Sequence, residues 1–209
     1  MRREVTAAIL TGGKGLRMGG VDKQGILIGG QAIGRRVATS MLSFFDEVLV
    51  VGKASELYSD LPVRQVADLS PGFGPLSGLQ AALASSRREW LYLVACDMPY
   101  FSEPWLEYMW EKRTDDAPLA VVAHDGNAIE PFHALYSAAC SDKLSAELKH
   151  LTLGRAGSVS RLPQKAASLS GFVSKLPRKE IPRGEVERFT PDWRLFFNFN
   201  TREDILSFE

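Results

Sequence analysis

The chain has 209 residues, 45% of them hydrophobic and 24% charged, enough apolar material for a full core near the upper end of single-domain lengths. Its 25 basic and 25 acidic residues cancel, so no overall field draws it to nucleic acid or to an anionic membrane, and any anion it binds needs a local site. Two cysteines, Cys96 and Cys140, are too few for a disulfide framework and lack paired metal-ligand spacing, which suits a reducing compartment in which both are buried small residues.

The stretch from Met1 to Leu10 carries two arginines and then a short apolar run interrupted by Glu4 and Thr6, which does not read as a signal peptide. No apolar stretch approaches the roughly 18 residues of a membrane span, so a cytoplasmic protein without a membrane partner is expected. Thr6 to Leu10 predicts a buried strand running straight into a glycine-rich loop. After Ile26-Leu27-Ile28 and a Gly29-Gly30 turn, Ile33, Val37, Met41 and Phe44 or Phe45 recur at helical spacing. Val48 to Val51 and Val63 to Ala67 predict two more strands, the second ending at Asp68. Pro75 is placed to open a helix carrying Leu76, Leu79 and Leu83 on one face. Leu91 to Ala95 predicts a strand that stops at Cys96-Asp97-Met98-Pro99, where the proline blocks further pairing. A helix over Pro104 to Arg113, a strand over Leu119 to Ala123 and a turn at Asp125-Gly126 follow. Beyond Leu151 the pattern weakens until Phe196 to Asn200, read as a strand, and a terminal helix from near Thr201, where Asp204 approximates a capping box.

Repeated strand-then-helix units with strands buried on both faces predict an α/β, three-layer sandwich around a mostly parallel sheet. One domain is expected over 1–209, with a nucleotide half to about residue 103 and an acceptor half from about residue 104.

The segment from Leu10 to Lys23 packs five glycines and three cations into fourteen residues. Glycines let successive backbone N–H groups converge on a phosphate, and lysine or arginine offsets its charge. A dinucleotide fingerprint built on Gly13 and Gly15 would need a glycine where Met18 stands, and a Walker A loop would need Gly-Lys-Ser/Thr. Neither fits. The string Leu10-Thr11-Gly12-Gly13-Lys14-Gly15-Leu16-Arg17-Met18-Gly19 with Asp22-Lys23 resembles the N-terminal signature of the molybdenum cofactor guanylyltransferases and, more loosely, of the nucleoside-triphosphate transferase superfamily. The resemblance implies that Leu10, Thr11, Gly12, Gly13 and Gly15 hold the GTP phosphates, with Arg17 and Lys23 as catalytic cations. Thr11 stands where many members have alanine. The Gly12-Gly13 pair favours GTP over CTP, because the related cytidylyltransferases more often read Ala-Gly there.

Three further segments follow in the family's order. Asp68 and the loop Gly74-Pro75-Leu76-Ser77-Gly78 lead from a strand into a helix N-terminus, where an anion or ribose edge is welcome, and resemble the family's nucleotide-contacting motif. Asp97 ends a buried strand, where open α/β sheets place their ligands. A single carboxylate suits magnesium, and Cys96-Asp97-Met98-Pro99 resembles the family's metal motif, which makes Asp97 the expected Mg²⁺ ligand. Glu130-Pro131-Phe132-His133-Ala134-Leu135-Tyr136 resembles the segment lining the acceptor side of the cleft, pointing to Pro131 and His133. His133 is either a base or a packing histidine, and an ionised attacking phosphate needs no base. Asn198 and Asn200, two apart on the predicted strand, share a face opposite Phe197 and Phe199, and match the family's Asn-x-Asn-Thr, which orients the acceptor or helps hold the metal.

The resemblance therefore implies transfer of GMP from GTP to molybdopterin with release of pyrophosphate. It also implies hand-over contacts with other cofactor-biosynthesis proteins and recipient molybdoenzymes. The alternatives are a superfamily enzyme with a sugar phosphate or similar acceptor, one with CTP as donor, and a non-catalytic nucleotide-binding regulator. Intact Lys23 and Asp97 argue against the last.

Overall fold

A computed structural model describes residues 3–11, 22–70, 72–156, 168–199 and 204. Strand β1 (Val5–Leu10) is buried at all six positions, as a continuous apolar strand covered on both faces must be. It lies inside a seven-stranded sheet of order β5-β4-β1-β6-β8-β7-β9, formed with β4 (Val48–Val51), β5 (Arg64–Val66), β6 (Trp90–Ala95), β7 (Ala120–His124), β8 (Ile129–Ser137) and β9 (Arg178–Pro182). A separate hairpin, β2 (Leu27–Ile28) and β3 (Gln31–Ala32), turns through Gly29 and Gly30 at φ 56° and 78°. Positive φ at both positions is what a type I′ turn requires.

Alternate residues of β1 face different layers. Val5, Ala7 and Ile9 pack with Val37 and Met41 of α1 (Ile33–Phe44) and Trp105, Leu106 and Met109 of α3 (Glu103–Lys112). Ala8 and Leu10 pack with Leu76 and Leu79 of α2 (Pro75–Ser85), Leu144 and Leu148 of α4 (Ser141–Ala156), and Phe172 of α5 (Leu169–Val173). This is the three-layer α/β sandwich expected from the sequence.

The strands β5, β4, β1 and β6 are parallel, and β7 and β9 pair in parallel. The exception is β8, antiparallel to both β6 and β7. Chain leaving β1 passes through α1 to β4 on one side, whereas chain leaving β6 passes through α3 to the other half of the sheet. The carboxyl ends of β1 and β6 therefore form the switch point at which open α/β sheets bind ligands.

Helices α1 and α2 match the periodicity that predicts them, and α3 matches the span expected over Pro104 to Arg113 to within a residue at each end. The later chain differs. Helix α4 runs through Ala156, carried by Leu144, Leu148 and Leu151 at one-turn spacing, and the edge strand β9 reads Arg-Lys-Glu-Ile-Pro with Ile181 as its one fully buried residue. The strand expected through Asn198 does not form. Residues 197–199 follow a 3-10 turn at Arg194–Phe196 in irregular backbone, and the two rings part company, Phe197 being 39% exposed and Phe199 1%. Asn200 and the expected Thr201 cap lie outside the described residues.

One glycine couples this packing to the site. A Cβ on Gly34, in α1, would meet the Tyr58 hydroxyl, Gln24 Cβ at 2.9 Å and the Gln24 carbonyl at 3.1 Å. Overpacking of this kind costs about 1–3 kcal/mol, which for a protein this size lowers the melting temperature by about 2–12 °C. Gly34→Ala is expected to show that drop in thermal unfolding. Gly184→Ala, whose Cβ would meet nothing within 4 Å, should not.

Candidate active site

The register pairs Leu10 with Ala95, so Thr11 and Asp97 stand one and two residues past the ends of neighbouring strands. Thr11 donates twice to the Val51 carbonyl, through its backbone N–H at 2.9 Å and its hydroxyl at 3.0 Å. The hydroxyl that distinguishes it from alanine is thus spent on extending the β1–β4 seam. Gly12, Gly13, Gly15 and Arg17, the core of the expected phosphate loop, lie outside the described residues.

At the far side of that loop, Asp22 caps a 3-10 turn over Lys23–Gly25. One Asp22 oxygen accepts from the Gln24 backbone N–H at 3.3 Å and the other from the Gln24 side-chain amide at 2.8 Å. The Gln24 amide oxygen accepts from the Tyr58 hydroxyl at 3.0 Å, with Gln24 2% exposed. So anchored, the turn presents Lys23, whose ammonium donates to Asp97 Oδ2 at 2.7 Å. Both side chains are largely enclosed, 23% and 13% exposed. The sequence singled out both ends of this pair, but Gln24 and Tyr58, which aim the lysine, were missed. A buried glutamine carries no periodic or motif signal.

Asp97 is held from the other side too. The Phe199 N–H donates to its carbonyl at 3.0 Å, which brings the segment containing Asn198 against the Asp97 turn. Phe199 itself packs with Ile28 and Ile33, so three distant segments meet at the Asp97 turn. No group of three or more His, Cys, Asp or Glu side chains that could hold a metal occurs among the described residues. A cation here would draw on Asp97 and on substrate phosphates, a donor set that fits magnesium and not a protein-caged metal.

The second nucleotide segment follows β5. Gly74 adopts φ 58°, ψ −132°, a conformation essentially reserved for glycine, and swings the chain into α2 with Pro75 at its first turn. Ser77 is fully buried, donates to the Ser70 carbonyl and accepts from the Phe73 N–H at 3.3 Å, pinning the Asp68 loop onto the helix. Leu76 is 0% exposed and Leu10 6%, so both shape the floor from within the core. A Cβ on Gly78 would meet both Leu10 methyls at 2.9 Å, which explains why α2 can approach β1 so closely. Burial raises the Asp68 carboxyl above its ordinary pKa.

On the acceptor side the expectation for His133 changes. Its ring is 0% exposed, its Nδ1 lies 2.6 Å from the Tyr92 hydroxyl, and its carbonyl accepts from Trp105 Nε1 at 3.0 Å. Burial holds it neutral, lowering its pKa to about 3. Enclosed among Tyr92, Trp105 and Phe196, it braces the core instead of facing solvent. Pro131 uses its carbonyl to accept from the Tyr136 hydroxyl at 2.7 Å. Beside it, Glu130 is half-buried, and loss of solvent raises its carboxyl from 4.5 to about 7, opposed by the Phe132 N–H that it accepts at 3.1 Å and aided by Asp125.

A group whose folded pKa is raised stabilises the fold fully below its unfolded value, and that contribution is lost as pH climbs through about 7. Glu130→Gln, neutral throughout, is therefore expected to match the native protein near pH 4 and to exceed it at pH 8, by about 4–8 °C in melting temperature for the ~2 kcal/mol left after discounting partial exposure. His133 acts in the opposite sense as pH falls from 6.5, but equally in both proteins. The same difference at both pH values would contradict the assignment.

The lysine-clamped carboxylate at the β1/β6 switch point and, along the same sheet edge, the helix entered through a positive-φ glycine form a nucleotide-binding type of α/β site. The model of the MobA-like NTP transferase domain matches residues 7–165, and the chain belongs to that family. It is 32% identical over 199 residues to the molybdenum cofactor guanylyltransferase of Syntrophotalea carbinolica, covering 95% of this chain and 88% of that one. It is also 32% identical over 206 residues to a probable molybdenum cofactor guanylyltransferase of Peptoclostridium acidaminophilum, covering 96% and 86%. In fold it resembles molybdopterin-guanine dinucleotide biosynthesis protein A from Archaeoglobus fulgidus, with a TM-score of 0.76 and 23% identity over 98% of this chain and 96% of the other. A more distant fold relative is the 2-C-methyl-D-erythritol 4-phosphate cytidylyltransferase of Francisella tularensis, with a TM-score of 0.66 and 11% identity over 98% and 97%. No described helix is long and apolar enough to cross a membrane.

Proposed function

We propose that this protein is a magnesium-dependent guanylyltransferase that transfers GMP from GTP to molybdopterin and releases pyrophosphate. The observation that carries the reading is the Lys23–Asp97 contact of 2.7 Å at the β1/β6 switch point, in a chain whose relatives bear that activity in their names. The nucleotide is read by the segment from Leu10 to Gly15 and by Asp68 with the Gly74–Gly78 turn, in a half ending near residue 103. The acceptor is held by Pro131, Asn198 and Asn200 in the other half.

In the reaction an ionised acceptor phosphate oxygen forms a bond to the α-phosphorus of GTP. The bond from that phosphorus to the bridging oxygen breaks, and its electron pair leaves with pyrophosphate. No proton has to be removed, which agrees with a neutral, enclosed His133. A magnesium ion held by Asp97 would supply charge neutralisation at the reacting phosphates. Lys23, and Arg17 from the glycine loop, offset the charge gathering on the leaving group, so catalysis is mostly positioning and electrostatics. As a user of GTP the enzyme would work in the cytoplasm, beside the proteins that supply molybdopterin and receive the finished cofactor.

Pyrophosphate release measured with GTP, CTP and ATP, each against molybdopterin and against sugar phosphates, tests the reading. GTP with molybdopterin should exceed every other pairing by at least about 10-fold in kcat/KM, the discrimination that a few hydrogen bonds to the correct base provide. Preference for CTP or for a sugar phosphate would replace it with one of the rival transferases.

A further inference from the structure

Along the ligand-binding edge of the sheet the strands run β5, β4, β1, β6, β8. Asp68 follows β5, Thr11 follows β1 and Asp97 follows β6. Because β8 runs antiparallel to β6, it presents its first residues, Ile129 and Glu130, at that same edge. Glu130 thus stands one strand beyond Asp97, on the side away from the nucleotide segments.

The backbone there is built to aim a side chain. Val121 pairs with Leu135 and Ala123 with Glu130, so four residues of β8, Pro131 to Ala134, oppose the single residue Val122. Bulges of this kind redirect side chains beside active sites. This one is locked by the Tyr136 hydroxyl on the Pro131 carbonyl at 2.7 Å, by Trp105 Nε1 on the His133 carbonyl at 3.0 Å, and by His133 itself, held at φ 47°. Within this frame the Glu130 carboxyl accepts one N–H, from Phe132 at 3.1 Å, and in its ionised form keeps three lone-pair directions to offer.

We infer that Glu130 positions the acceptor, its carboxyl taking hydrogen bonds from adjacent N–H donors of a flat amino-oxo heterocycle. The inference rests on the reading of the acceptor as a pterin, which carries an amide N–H beside an exocyclic amine. A carboxylate meets two such parallel donors as it meets the two of a guanidinium. The ring, gripped one strand away from Asp97, would deliver its phosphate toward the nucleotide.

The test compares native enzyme with Glu130→Gln, Glu130→Ala and Glu130→Asp in steady-state transfer from GTP to molybdopterin. Alongside it, binding of a fluorescent GTP analogue is measured with Mg²⁺. Expected are a rise of at least about 10-fold in acceptor KM for Gln and Ala, the scale of one charge-assisted hydrogen-bonded pair, partial recovery with Asp, and GTP affinity within twofold of native. An unchanged acceptor KM in folded Glu130→Gln overturns the inference, and so does a parallel loss of GTP affinity, the mark of a merely structural role. Native enzyme that turns over no molybdopterin overturns the acceptor reading instead, so the two failures are distinguishable.

Discussion

Replacing Asp97 with asparagine is expected to reduce guanylyl transfer by about 10³-fold while leaving the melting temperature within ~2 °C. The magnitude follows from the several kcal/mol of transition-state charge stabilisation that a bound metal supplies, at 1.36 kcal/mol per tenfold. The fold should be spared because the links that hold this turn are made by backbone. The Asp97 carbonyl still accepts from Phe199, and the Cys96 N–H still donates to the Leu10 carbonyl at 2.9 Å. Asparagine also keeps an oxygen for Lys23 to donate to. What it removes is negative charge, so the loss should not be recovered by raising GTP. More than a tenth of native kcat in Asp97→Asn with Mg²⁺ would sink the metal assignment.

Lys23→Met is expected to lower kcat by about 10²- to 10³-fold, the usual result of removing one preorganised group from developing negative charge, with a smaller rise in KM for GTP. The methionine keeps the length of the stem and discards the ammonium. Stability should also fall, because removing one partner of this enclosed ion pair leaves the Asp97 carboxylate, 13% exposed, without its cation, so thermal unfolding is measured beside the kinetics. Stopped-flow single-turnover measurements separate the two parameters. A change confined to KM would make Lys23 a binding residue only, and the leaving-group role would have to be reassigned.

These two predictions rest on the part of the site that was most legible in the sequence. Lys23 and Asp97 stand 74 positions apart, yet each is marked locally, one by the glycine-rich string before it and the other by the abrupt end of a buried strand at Met98-Pro99. The α/β alternation then brings strand ends to a common edge. The helix at Pro75 was equally clear, because proline at the first turn and leucines at helical spacing agree with one another. What stayed hidden depends on tertiary context. The Gln24–Tyr58 clamp joins two residues with no pattern of their own. Strand β8 begins with Ile-Glu and then bulges through Pro131 to Ala134, which interrupts the alternation that would announce it, and this irregularity places Glu130 at the edge and His133 in the core. The edge strand β9 is hidden for the opposite reason: it has one neighbour and one buried residue, so it reads as polar loop. Around Asn198, alternation predicted a strand, but the backbone is committed to Asp97 and Phe199 to the β2–β3 hairpin, and that packing overrides local pattern.

The central claim is that the α-phosphorus of GTP is the atom transferred, and that molybdopterin receives it. Parallel reactions with GTP labelled at the α- or the γ-phosphate test this directly. With molybdopterin and Mg²⁺, the α-label should move into a product with the mass of molybdopterin plus GMP less one water, and the γ-label should appear only in pyrophosphate. Recovery of the γ-label as inorganic phosphate or on the acceptor, with the α-label left in GDP, would contradict nucleotidyl transfer.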